Sequence, residues 1–236
     1  ESKYLSYIDY QKATSSVYAF KNESSDAEML AFAEAYAAVC DKYGLSWGIA
    51  ESGTSNFLTA VTNSDSDTYE RALFMARFLI NMVNGGCTNI KYFVFSDCYY
   101  DGNLNELGLF RFKHEDWKAK PVWYSWSLIT RYTEFGSDIF PIGSDVEGVC
   151  ATAFKLPDGS WTYLLANSSK KTQKVAIVNE REDRPETLAQ YRMTGSSLPE
   201  DGALELIAKT GDVSAKNRAA HVTLAPNSFV VLSDKQ

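Results

Sequence analysis

The sequence predicts an α/β chain: β/α units first, then a purely antiparallel β region. Three observations carry this. Two long amphipathic helices, each followed by a near-continuous apolar run, occupy the first hundred residues. A third helix pattern begins at Pro121. After about residue 137 the helical period disappears, and short β-rich runs broken by turns take its place.

In chain order, YLSYIDY at 4–10 is an aromatic-rich strand candidate. Residues 26–43 predict a helix, with Ser25 and Glu28 forming a capping box. Met29, Phe32, Ala33, Tyr36, Val39 and Cys40 recur on one face, and Gly44 stops it. LSWGIA follows, as apolar as a strand covered on both faces. Asp67 and Glu70 predict a second capping box. The helix behind it carries Ala72, Leu73, Met75, Ala76, Leu79 and Met82, and Gly85 and Gly86 close it. IKYFVF at 90–95 is the next strand, ending at Ser96 and Asp97. The third helix runs from Pro121 toward Gly136. Helices between buried strands imply parallel pairing with right-handed crossovers.

The later runs GVCATAFK, SWTYLLAN, TQKVAIV, LAQYRM, HVTLA and SFVVLS predict an antiparallel sandwich. Two domains are expected, 1–138 and 139–236, with Phe135 and Phe140 near the joint. Trp161 and Tyr163 alternate as strand packing demands. The sandwich has no clustered carboxylates, which predicts a supporting role. Three strands and three helices are too few to cover an open sheet, so the first half is expected to be the closing portion of a larger unit.

A formal charge of −7 offers no basic surface for nucleic acid or an anionic membrane. The lysines at 118–120 and 170–174 are short clusters that predict solvated faces. No apolar run nears the roughly 20 residues that span a bilayer. The chain begins with Glu and is expected to be a processed or excised piece. Cys40, Cys87, Cys98 and Cys150 lack metal or redox spacing. Cys40 and Cys150 are expected as buried hydrophobes, and the strand between Cys87 and Cys98 argues against their pairing. The compartment stays open on the residues, a secreted or periplasmic one being favoured over the cytoplasm.

Candidate chemistry gathers at strand ends, where β/α folds place their functional groups. Glu51 closes LSWGIA and opens the loop Ser52, Gly53, Thr54, Ser55, Asn56. A carboxylate there can be nucleophile, base or metal ligand, and position alone does not separate these from a plain loop carboxylate. Asp97 ends the next strand, with Phe95 before it and Tyr99 and Tyr100 after it. Such aromatics suit the apolar faces of sugar rings, and packed loop aromatics are the plainer alternative. Trp47 is equally suited to packing and to a platform. Asn56 could orient a hydroxyl or simply make a turn. Trp123 and Trp126 are expected in a core. His114 and His221 are too far apart for a zinc site, and no glycine pattern fits a phosphate loop. No metal and no cofactor are expected; carboxylate chemistry remains.

WGIAESGTSN, IKYFVFSD, ELGLFRF, KPVWYSWSLITRY and the closing LAPNSFVVLS together resemble the last part of a clan of retaining glycoside hydrolases. These are (β/α)8 barrels, and the closest flavour is that of the β-xylosidase-like and α-L-arabinofuranosidase-like families, which add a β-sandwich after the barrel. The resemblance implies barrel strands six to eight followed by that sandwich, and a carbohydrate substrate of plant or microbial type. Glu51 maps onto the nucleophile at the end of strand seven. Phe95 and Tyr99 look like the strand-eight aromatics, and Tyr10 is similar to the tyrosine that holds the nucleophile in some members. The histidine of strand six is missing, Gln11 following Tyr10. The acid/base glutamate of strand four has no counterpart here, although a retaining mechanism needs two carboxyls about 5–5.5 Å apart. A second polypeptide supplying the first part of the barrel is therefore implied. Two other readings stand beside this one: a non-catalytic carbohydrate-binding or scaffold protein on the same fold, and an unrelated α/β enzyme with Glu51 facing a phosphate or metal.

Overall fold

The computed structural model describes residues 20–53, 64–100 and 102–235. The expected strand at 4–10, with Tyr10 and Gln11, lies outside the described residues, as does Asn56.

Helix α1 spans Asp26–Asp41 and begins with the expected capping box. The Ser25 hydroxyl accepts from the Glu28 amide at 3.2 Å, and the Ser25 amide donates to the Glu28 carboxylate at 2.9 Å. Strand β1, Trp47–Ser52, follows the turn at Gly44, whose φ of +65° lies in the left-handed region. Helix α2 spans Tyr69–Asn84 and is capped differently from the sequence expectation. Thr68, not Asp67, is the cap: its extended backbone lets the hydroxyl accept from the Arg71 amide at 3.2 Å. Asp67 is drawn away to Arg111, whose Nε lies 2.7 Å from its carboxylate.

Strand β2 spans Cys87–Tyr92 and pairs parallel with β1, giving the expected β-α-β order. It starts and ends three residues earlier than the apolar run IKYFVF suggested. The Phe93 amide still donates to Ser52 O at 2.6 Å. Beyond it the backbone is satisfied by a returning segment: Val94 O and Phe95 O accept from Leu109 and Phe110, and the Asp97 amide donates to Phe110 O. A short hairpin, β3 (Cys98–Tyr100) with β4 (Asn103–Asn105), projects from this region. Helix α3, Pro121–Tyr132, has its proline in the first turn as expected.

The remaining strands are β5 (Asp138–Ile142), β6 (Val149–Lys155), β7 (Trp161–Asn167), β8 (Gln173–Val178), β9 (Thr187–Met193), β10 (Lys209–Ser214), β11 (Ala219–Leu224) and β12 (Ser228–Ser233). Six form one antiparallel sheet in the order β10-β9-β12-β7-β6-β5, and β8 pairs antiparallel with β11. One face of the large sheet packs on the β8–β11 pair. Ala151, Trp161, Tyr163, Leu165, Val230 and Leu232 meet Ile177, Val222 and Leu224 there. The other face packs on α2 and α3: Cys150, Phe154, Leu164, Met193, Phe229 and Val231 meet Leu73, Ile80, Tyr124, Leu128 and Ile129. This alternation is what a strand buried on both sides requires.

The joint between helices and sheet is this shared core, not the pair expected from sequence. Phe135 is fully exposed, and Phe140 packs on Trp161 with ring centroids 5.1 Å apart on the far face. Helix α2 has a second duty. Phe74, Met75, Phe78 and Met82 join Met29 and Ala33 of α1 and Trp47 and Ile49 of β1 in a third core. All four cysteines are free thiols.

Candidate functional site at the carboxyl ends of β1 and β2

The parallel pairing brings the carboxyl ends of β1 and β2 together. Ser52 stands opposite Tyr92 in the register, and the Ser52 hydroxyl donates to Lys91 O at 2.8 Å. Gly53 is required here, because a Cβ would lie 2.5 Å from Phe93 O. Trp47 and Ile49 are buried against the helices, but the alternation breaks near the end of β1, where Ala50 and Glu51 are both half-buried and the register shifts. Glu51 thus sits at the strand end predicted for it, beside the segment that leaves β2.

The next carboxylate behaves differently. Asp97 is buried, and its carboxylate accepts from the Lys120 ammonium at 2.7 Å and the Gly108 amide at 2.8 Å. Lys120 also donates to Ser66 Oγ and Glu106 O, each at 3.2 Å. Burial pushes the Asp97 carboxyl up from its ordinary range, and Lys120 pulls it back. A buried ion pair with this many hydrogen bonds is a fastener: it ties the end of the β2 segment to the start of α3. Lys120 is therefore not part of a solvated face, as the lysine cluster suggested. Its stem is enclosed, and its charge is matched by a residue 23 positions away.

Close by, Tyr92 donates to Leu107 O at 3.2 Å. Burial pushes its hydroxyl strongly up, with the Arg71 charge opposing that shift. Arg71 itself is buried, its guanidinium 4.9 Å from the Phe74 ring centroid. The strand ends thus lie over the buried charges of Asp97, Lys120 and Arg71 and the half-buried Tyr92.

Aromatics form the rim. Phe95 is 68% exposed, and its ring centroid lies 4.8 Å from that of Phe110. Tyr99, on β3, is 59% exposed and meets Phe112 edge-on at 5.3 Å. Tyr100 ends β3, and its side chain lies outside the described residues. Trp47, weighed as a platform, is a core residue: it is buried, with its ring 5.5 Å from Tyr36. Of the sequence candidates, the structure brings Glu51, Phe95, Asp97 and Tyr99 onto the β1 and β2 ends and the segment leaving them. It places Trp47 in the core, and it engages Asp97 in a buried ion pair at that end. Sequence reasoning missed Lys120, Phe112 and Trp117. The apolar neighbours of Lys120, ahead of Pro121, were the one signal for its burial. No group of three His, Cys, Asp or Glu side chains is arranged to hold a metal among the described residues.

The arrangement of these elements is similar to part of the fold of several solved glycoside hydrolases, without pointing to one family among them. The chain superposes on a family 30, subfamily 8 xylanase from Clostridium acetobutylicum with a TM-score of 0.63 at 11% identity, covering 83% of this chain and 44% of that one. An α-L-arabinofuranosidase from Thermotoga maritima gives 0.60 at 16% identity, covering 96% of this chain and 50% of that one. A 4-O-α-L-rhamnosyl-β-D-glucuronidase from Fusarium oxysporum 12S gives 0.60 at 13% identity. The chain spans half or less of the length of each. No family model and no curated protein matches the sequence.

Proposed function

We propose that this chain is the closing part of a retaining glycoside hydrolase, in which Glu51 is the nucleophile and a glutamate outside this chain is the acid/base. The observation that carries the reading is the place of Glu51: a carboxylate at the carboxyl end of a parallel strand, beside a second such strand, in a fold shared with glycoside hydrolases. In this reading β1 and β2 are strands seven and eight of a barrel, and the antiparallel layers are its supporting sandwich.

Double displacement needs a partner carboxyl about 5–5.5 Å from the nucleophile. Asp97 is unsuited, because its carboxylate is buried and its Oδ1 accepts from both Lys120 and Gly108. The partner is assigned instead to the opening β/α units, carried by a further segment or a second polypeptide. Two features favour such a complement. Among the described residues the parallel sheet has two strands, and β2 has no second strand partner there. Beside β2 lies a hollow of about 490 Å³ of mixed character, with Ile90, Trp126 and Ile129 on one part of its lining and Thr88, Asn89 and Glu134 on another. The substrate class is a neutral or lightly substituted plant or microbial polysaccharide, suited to the exposed Phe95 and Tyr99 rings.

The test is Glu51→Gln in the assembled protein. Turnover on aryl glycosides and polysaccharides is expected to fall by about three orders of magnitude or more, with the unfolding midpoint unchanged. Azide should restore activity to Glu51→Ala and give product of inverted configuration. Wild-type-like turnover in Glu51→Gln would place the nucleophile elsewhere. An assembled protein that binds glycans and cleaves none would make this a binding scaffold.

A further inference from the structure

Outward from the strand ends, four rings form one continuous surface. Phe112 is its half-buried hub. Tyr99 meets it at 5.3 Å, His114 at 5.6 Å and Trp117 at 6.1 Å between centroids. Tyr99 is 59% exposed, Trp117 48%, and the His114 side chain 56%. Rings of this size are normally enclosed, and a contiguous exposed group of them marks a contact surface.

The surface is built, not loose. The turn that carries it is closed by Arg111 N donating to Lys118 O at 2.9 Å, and by Lys118 N donating to Glu115 O at 3.2 Å. Its base is fastened three times: Arg111 to Asp67, Ala119 N to Gly202 O, and Lys120 to the buried Asp97. Inside the turn, Asp116 and Trp117 both hold left-handed backbone, with φ of +56° and +55°. Aspartate adopts it readily but a bulky tryptophan rarely does, and such conformations persist where surrounding structure imposes them. They help set the position in which Trp117 is left exposed.

Charge decides the kind of partner. Lys113, whose ammonium lies 5.6 Å from the Phe112 centroid, and Lys118 are offset in number by Glu115 and Asp116, so the turn has no formal net charge to recruit an anionic or cationic ligand. Exposed and rimmed by hydrogen-bonding groups, with its outer rings inclined to Phe112 by 54–77°, it fits the C–H faces and hydroxyl edges of successive sugar rings that turn along a chain.

We propose that Tyr99, Phe112 and Trp117 form an accessory platform for a neutral polysaccharide chain, extending outward from the site at Glu51. The proposal rests on the glycoside hydrolase reading for its ligand class, but its experiment can fail separately. Soluble xylan, mixed-linkage β-glucan and arabinan are titrated against the assembled protein by calorimetry.

Trp117→Ala and Tyr99→Ala are each expected to weaken binding of at least one polymer about tenfold, and the double variant more, as loss of a stacked ring implies. Trp117→Tyr should stay within about threefold of wild type, because a ring is kept. Phe135→Ala, at a fully exposed ring elsewhere, should change nothing. Thermal midpoints should stay constant across the series, which separates lost contact from lost fold. Glu51→Gln should keep polymer binding while losing turnover.

Unchanged polymer binding in the double variant, with Glu51→Gln inactive, would overturn the platform and leave the hydrolase reading standing. Lost binding in the ring variants, with no turnover in any protein, would do the reverse. Wild-type protein that binds none of the three polymers, or binds a peptide through these rings instead, would also overturn the platform.

Discussion

The two sheets of this protein differ in how completely their own chain covers them. Every residue of β7 and β12 is buried, because the six-stranded sheet lies between the β8–β11 pair and helices α2 and α3. In β2 only Cys87 is buried, and Gly48, Asn89 and Lys91 of the parallel pair are exposed. Parallel sheets are normally covered on both faces. The antiparallel layers satisfy their apolar surface within the chain. Among the described residues the parallel pair does so on its helix side alone, and its carboxyl end is held by polar fasteners.

That contrast can be tested first where the expected effects are largest. Asp97→Ala leaves the Lys120 ammonium buried without its counter-charge and should cost about 3–5 kcal/mol in urea denaturation. Phe229→Ala, in the doubly covered sheet, should cost a similar 3–5 kcal/mol by opening a cavity. The two mechanisms separate on repair. Asp97→Leu combined with Lys120→Met should recover much of the ion-pair loss, since both charges are then gone. If the double variant is no better than Asp97→Ala alone, the pair is not the fastener described.

A smaller effect belongs to the start of α2, the helix that serves both regions. Thr68→Ala should cost about 1 kcal/mol, whereas Asp67→Ala should leave the helix cap intact and release Arg111 instead. Equal helix fraying in the two variants, read by amide exchange over the first turn, would return the cap to Asp67.

The smallest effect lies at the start of α1. The Ser25 amide, and then its hydroxyl, hold the Glu28 carboxyl below its ordinary value of 4.5. A lowered folded pKa means that stability is present above the unfolded value and is lost as pH falls through the folded one. The wild-type thermal midpoint should therefore drop slightly more than that of Glu28→Gln as pH falls below 4.5. Parallel curves for the two proteins would leave the capping box without an electrostatic contribution.

The sequence by itself determined what depends on neighbours a few positions apart. Ser25 and Glu28 mark a helix start because a hydroxyl and a carboxylate three residues apart reach each other's amides. Pro121 opens α3, Gly44 turns the chain after α1, and short β-rich runs bounded by turns become β6, β7 and β12 for equally local reasons. Glu51 at a strand end was legible in the same way, from an apolar run that stops.

Tertiary structure decided everything that joins distant segments. Beyond Tyr92 the chain leaves the parallel pair, because Leu109 and Phe110 return to bond the backbone of Val94, Phe95 and Asp97. Asp67 yields the cap to Thr68 because Arg111, 44 positions on, claims its carboxylate. Asp97 and Lys120, each plausible on a surface, vanish together into the interior, and Trp47 goes to the core because α1 and α2 close over it. A buried charge is tolerable only when its partner arrives, and no local pattern records where that partner lies.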